Sequence, residues 1–188
     1  MNVQEPLARA TAARAEVRCV VRSAMLLVQR RTHLPTRNVG LRLHFADGTS
    51  GRVFRETVVE REPPLDPCLL VVEFRLHLLR GRWRSLFLWE CILNTLLFVG
   101  FPGFVSKLWL DADERERYRG VYEWSDPDSA EFYARSLWRV LELVCPRGSI
   151  HYEVVPHMRR DDVLRTPQHM NCGDLEADGA GGYRRIVA

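Results

Sequence analysis

The chain has 188 residues, of which 46% are hydrophobic and 27% charged, a balance that suits one globular domain and excludes a disordered or membrane-embedded chain. Its formal charge is +3, and Lys107 is the only lysine among its basic residues. The positive excess sits in residues 1–37, with seven arginines against two glutamates, while residues 38–156 hold fifteen basic and seventeen acidic residues. A nucleic-acid binder needs a basic stripe on its folded surface, so no nucleic-acid partner is expected. No apolar run approaches the ~18 residues of a membrane span. No membrane partner and a cytoplasmic location are therefore expected. Cys19, Cys68, Cys91, Cys145 and Cys172 are widely spaced and form no Cys/His cluster, which predicts buried thiols and no metal site.

Residues 1–37 show weak periodicity and end in the breaker-rich stretch Thr32 to Thr36, so they read as a flexible arm with some helical tendency. In residues 39–58, Leu41, Leu43 and Phe45 alternate with Arg42 and His44, and Asp47-Gly48 is a hairpin turn signal. A β-hairpin is expected there, followed by a rigid connector, Glu62-Pro63-Pro64-Leu65-Asp66-Pro67. The stretch 68–156 reads strand, helix, strand, strand, helix, strand. The strands fall at Leu69 to Leu78, Phe104 to Leu110, Tyr118 to Trp124 and Ser149 to Val155. The first helix covers Trp83 to Phe98 and stops at Gly100-Phe101-Pro102-Gly103. The second starts with Asp126 as N-cap and Pro127 at the first helical position. Its apolar face is Ala130, Tyr133, Ala134, Leu137, Leu141 and Val144. Residues 157–188 turn polar and read as a mostly disordered tail.

A βαββαβ order in 68–156, within a single domain spanning 38–156, gives an α+β ferredoxin-like plait with both helices on one face of a four-stranded antiparallel sheet. Strand alternation sorts the side chains. Leu70, Val72, Phe74, Phe104, Ser106, Leu108, Leu110, Tyr118, Tyr122, Trp124, Tyr152 and Val154 fall on an apolar, aromatic, helix-facing side. Glu73, Arg75, His77, Lys107, Trp109, Arg119, Glu123, His151 and Glu153 fall on a charged side. That charged side is either solvated or packed against a second copy of the chain.

The stretch from Phe98 to Leu110, then Tyr118 to Trp124, then Ala130 to Leu137 resembles the mono-oxygenase-like branch of the dimeric α+β barrel superfamily, related to the antibiotic-biosynthesis monooxygenases. The matching positions are Gly103, Lys107, Trp109, Gly120, Tyr122 and Tyr133. The resemblance covers residues 68–156 and leaves the hairpin and both termini as additions. It implies a homodimer closing a barrel through its sheets, with a pocket for a small aromatic or polyketide-like molecule between sheet and helices. It also implies a cofactor-independent monooxygenase or a related tailoring enzyme of secondary metabolism. A cyclase, dehydratase or isomerase in the same pocket, or a non-catalytic ligand-binding or assembly dimer, stays open. No cofactor is expected, with haem as a minor alternative.

Cofactor-free oxygenation needs an electron-rich substrate, help with its deprotonation and a dry pocket. The candidate catalytic residues are Asn94, Tyr122 and His151. Asn94 stands in an otherwise apolar helix where its amide needs a partner, and imidazole titrates near neutrality. Trp89, Ser106, Lys107, Trp109, Tyr118, Trp124, Tyr133 and Tyr152 are the candidate substrate-binding groups. Any one of these also serves an ordinary core. Together they bring more rings and hydroxyls than a core needs. If the pocket opened toward the barrel instead, Lys107, Arg119 and His151 would bind anions.

Overall fold

The structure is a computed structural model and describes residues 6–45, 47–75, 95–143, 145–146 and 148–165. Its elements are α1 (Arg9–Val28), β1 (Thr32–His33), β2 (Arg42–His44), β3 (Ser50–Val59), β4 (Cys68–Phe74), β5 (Phe104–Leu110), β6 (Tyr118–Trp124), α2 (Pro127–Leu141), β7 (His151–Pro156) and α3 (Arg160–Arg165). The expected helix over 83–98 falls mostly outside the described residues, and with it Trp89, Asn94 and His77.

The four strands of 68–156 lie in the order β5-β6-β4-β7, all antiparallel. Strand one sits between strands three and four, and strand two is outermost. This is the strand order of the ferredoxin-like plait, as expected. The added hairpin extends the sheet: β3 pairs with β5, while β1 and β2 each pair with β3. At its turn, Gly48 takes a φ of 78°, and Asp47 accepts from the Thr49 backbone N–H at 3.0 Å. That side-chain turn is what the Asp-Gly signal encodes. In α2, the Asp126 carboxylate accepts from the Ser129 N–H at 2.7 Å, with Pro127 at the first helical position.

Three expectations need correction. Residues 9–28 are not a flexible arm but a twenty-residue helix with Ala12, Cys19 and Ser23 buried. Alanine-rich sequence favours this helix intrinsically. Its small inner side chains let it approach Gly100, where a Cβ would stand 2.1 Å from the Cys19 carbonyl oxygen. The Ser23 hydroxyl fixes the contact, donating to the Leu96 carbonyl and accepting from the Gly100 N–H, both at 2.8 Å.

The chain also continues past residue 156 into α3, which buries Val163. The third correction is one of register. Phe104 pairs with Trp124 but Ser106 pairs with Glu123, so a bulge at Val105 reverses the alternation of β5. Lys107 and Trp109 therefore turn to the helix-facing side, and Ser106, Leu108 and Leu110 to the other.

Both sides of the sheet are covered. The helix-facing core joins Leu70, Val72, Tyr122, Trp124 and Tyr152 to Ala130, Tyr133 and Leu137 of α2 and Cys19 of α1. The opposite core joins Leu69, Val71, Leu108, Leu110 and Val121 to Leu43, Phe45 and Val53 of the hairpin and Val163 of α3. The side expected to be solvated or to meet a second copy is thus occupied by the chain's own hairpin and C-terminal helix.

Candidate functional site

The helix-facing side is a continuous field of rings. Phe98 packs edge-on against Phe104 and Trp109 at 5.0 and 5.4 Å, and Tyr133 lies 4.8 Å from Trp124 and 5.1 Å from Phe101. Rings of this size each bury a large apolar area. Gly120 has a direct reason to be glycine here. The Tyr122 ring lies across it, and a Cβ would meet Cε2 at 2.7 Å.

Polar groups are set into this field. The Lys107 ammonium is 4% exposed and sits 3.2 Å from the Trp109 ring centre, 4.6 Å from Phe98 and 4.7 Å from Tyr122. A desolvated cation over several rings gains about 2 kcal/mol or more from their quadrupoles. The Trp109 indole N–H donates to Thr57 Oγ1 at 3.1 Å. The Tyr133 hydroxyl stands 3.3 Å from that of Tyr122. Burial pushes the Tyr133 hydroxyl pKa well up, with help from Tyr122 and the nearby Glu16 and Cys19.

Glu16, from α1, is the group missed in the sequence. Both its carboxyl oxygens are inaccessible and have no hydrogen-bond partner. Burial pushes its pKa up to about 7. Cys19 beside it is pushed up to about 11, by burial first, and is therefore an inert thiol at neutral pH. The spacing Ala12, Glu16, Cys19, Ser23 is a helical face that would have pointed inward, and it was the available signal. The Trp124 indole nitrogen is likewise buried and unpartnered.

Of the expected site residues, the structure brings together Lys107, Trp109, Tyr122, Trp124 and Tyr133. Tyr118 stands at the far end of β6, stacked on Phe74 at 6.0 Å. Tyr152 also faces the helices but is engaged elsewhere, its hydroxyl donating to Glu131 at 2.6 Å and its ring meeting Trp138. Ser106 lies on the opposite side, buried, with its hydroxyl unpartnered. His151 is opposite as well, in register with Glu73 across β4.

On that opposite side the charges are paired within the chain. Arg119 meets Glu73 at 2.7 Å and Asp113 at 2.9 Å, and Arg117 meets Asp113 at 2.9 Å and Glu73 at 3.2 Å. Asp47, from the hairpin turn, bridges both arginines. The Arg119 guanidinium also lies 4.1 Å from the Phe45 ring centre. Lys107, Arg119 and His151 therefore do not converge on one anion site. Among the described residues, no cluster of His, Cys, Asp and Glu could hold a metal ion, and no helix is long and apolar enough to cross a membrane.

No known protein family's sequence profile matches the chain, and no curated protein resembles it in sequence. Solved structures do resemble it in fold. A ferredoxin-fold protein from Listeria monocytogenes related to antibiotic biosynthesis monooxygenases is 14% identical, covering 60% of this chain and 66% of its own, with a TM-score of 0.43. A monooxygenase-like protein from Listeria innocua is 16% identical over 60% of this chain and 66% of its own, with a TM-score of 0.42. The haem-degrading enzyme LmHde of Listeria monocytogenes is 16% identical over 60% of this chain and 72% of its own, with a TM-score of 0.43. This chain thus spans about two thirds of the length of the first two.

Proposed function

We propose that the chain is a cofactor-independent monooxygenase or related tailoring enzyme that acts on a small, electron-rich aromatic compound against the ring-lined side of the sheet. The observation that carries this reading is the Glu16 carboxyl, buried and without a hydrogen-bond partner, close enough to Tyr133 to raise that hydroxyl's pKa and itself pushed up to about 7 by burial. A general base works best when its pKa lies near the working pH. Glu16 takes the proton from a phenolic or activated methylene substrate, and the Tyr122 hydroxyl, which accepts from Tyr133, donates to the substrate oxygen. The Lys107 ammonium and the surrounding ring edges hold the resulting anion. Dioxygen then gives one atom to the substrate carbon, the two hydrogens of the activated methylene leave with the other as water, and the substrate itself is the reductant. Asn94 and Trp89 belong to the same reading as groups that would orient the substrate.

Oxygen uptake with an anthrone-type substrate, without added flavin or metal, tests this. Uptake is expected to rise through pH 7, and Glu16→Gln and Tyr122→Phe are expected to lower it at least tenfold. Uptake that is indifferent to both substitutions sinks the assignment.

A haem reading fits these residues poorly, because no described histidine faces the helix side: His151 lies opposite, and His33, His44 and His157 are exposed. A Soret band after incubation with haem would reverse that judgement. A second reading, a non-catalytic binding or assembly protein, draws on the tight packing of the rings: Phe98, Phe104, Trp124 and Tyr133 are all fully buried. Absence of uptake with any phenolic substrate favours it.

A further inference from the structure

We propose that a hollow between the C-terminal half of α1, the end of β3 and the loop at 100–101 binds the oxyanion head, phosphate or carboxylate, of a small amphipathic molecule. The hollow has a volume of about 380 Å³, and its wall includes Arg22, Arg31 and Arg61. That volume is of the size small-molecule sites use.

Three arginines line one space, and none of them forms an ion pair with a described carboxylate. Glu60 also lines the hollow, but its side chain is 71% exposed and meets His33 at 3.7 Å. Arg31 instead donates to the Glu60 backbone carbonyl at 2.9 Å. The Arg61 Nε is buried and has no hydrogen-bond partner. Burial, and then the charges of Arg22 and Arg31, disfavour the protonated form of Arg61.

A buried N–H without an acceptor and a cluster of like charges are both unfavourable in an empty site. One oxyanion neutralises the cluster, and a turn of the Arg61 side chain toward it gives the Nε an acceptor. Arginine's planar fork suits phosphate and carboxylate equally. The rest of the wall decides the remainder of the ligand. Met25, Leu26, Val59 and Phe101 are apolar and line the same space, so the head group carries a compact apolar body. This site is separate from the acid–base groups around Glu16, and binding is measured without turnover.

Titration calorimetry of the full chain at low salt tests the proposal, using phenyl phosphate, benzoate, phenol and inorganic phosphate as probes. Phenyl phosphate or benzoate is expected to bind at least tenfold more tightly than phenol, and the stronger of the two identifies the head group. The tighter anion should also exceed inorganic phosphate and lose affinity as salt rises. Arg61→Gln and Arg22→Gln are each expected to weaken it at least tenfold. Arg22 is exposed, so its variant keeps the test valid if Arg61→Gln fails to fold. Phenol binding as tightly as the anions, or anion affinity unchanged in Arg22→Gln, overturns the proposal.

Discussion

The two sides of the sheet bury ionisable groups in opposite ways. Opposite the helices, Arg117, Arg119, Asp47, Glu73 and Asp113 satisfy one another in a closed set of charge-assisted bonds. On the helix side, Glu16 and the Trp124 indole nitrogen are buried without partners, and Tyr133 reaches only another hydroxyl. A closed network holds a fold in one arrangement and has no valence left for chemistry. Orphaned groups destabilise the empty protein and are therefore where a substrate or a proton can be accommodated. The contrast is one of charged groups, since the Ser106 hydroxyl on the opposite side is also buried without a partner.

The largest effect that would break this comparison is removal of one arginine from the closed network. Arg119→Leu leaves Glu73, Asp113 and Asp47 short of a buried cation, which costs about 3–5 kcal/mol. A urea titration should show the midpoint collapsing, or the chain failing to fold. A loss below 1 kcal/mol would mean that water reaches these carboxylates and that the network is not closed.

Gly100→Ala should rank second. Its methyl would meet the Cys19 carbonyl oxygen and the Ser23 nitrogen, both backbone atoms that cannot swing away. The expected loss is about 2–3 kcal/mol, with α1 becoming the first site cut in limited proteolysis. Unchanged protection of α1 would show that the helix is not held at this contact.

The smallest effect bears on the helix side. Glu16 keeps its proton in the folded chain up to about pH 7, whereas an unfolded glutamate loses it near 4.5. The ionisation part of its burial cost is therefore absent at pH 4, grows between 4.5 and 7, and is complete above 7. Glu16→Gln should raise stability by about 1 kcal/mol at pH 8, less than the full shift implies because the side chain is partly exposed, and leave pH 4 unchanged. Equal stability at both pH values would mean the carboxyl is solvated or paired, and the acid–base reading would lose its base.

Much of the fold was legible because it rests on local signals. Asp47-Gly48 encodes its turn through one side chain and one positive φ, and Asp126-Pro127 encodes a helix start through one hydrogen bond and one fixed dihedral. The site was less legible. Tyr122, Trp124 and Tyr133 follow from period-2 and period-3.6 spacing, but Lys107, Trp109 and Ser106 do not. One extra residue, Val105, exchanges their sides, and no residue type in Phe104 to Leu110 marks a bulge. Glu16 was hidden for another reason, since a carboxylate on an arginine-rich helix reads as solvated until the helix is seen to dock.

By itself, then, the sequence determined the four strands of 68–156, the hairpin, the α2 start and the ring-rich character of one sheet side, all of which depend on residues a few positions apart. The tertiary structure alone decided three things: that α1 packs on Gly100, that Lys107 stands among the rings, and that the hairpin and α3 cover the charged side. Each depends on contacts between distant residues, whose free energy belongs to the pair and is not written in either residue's neighbourhood.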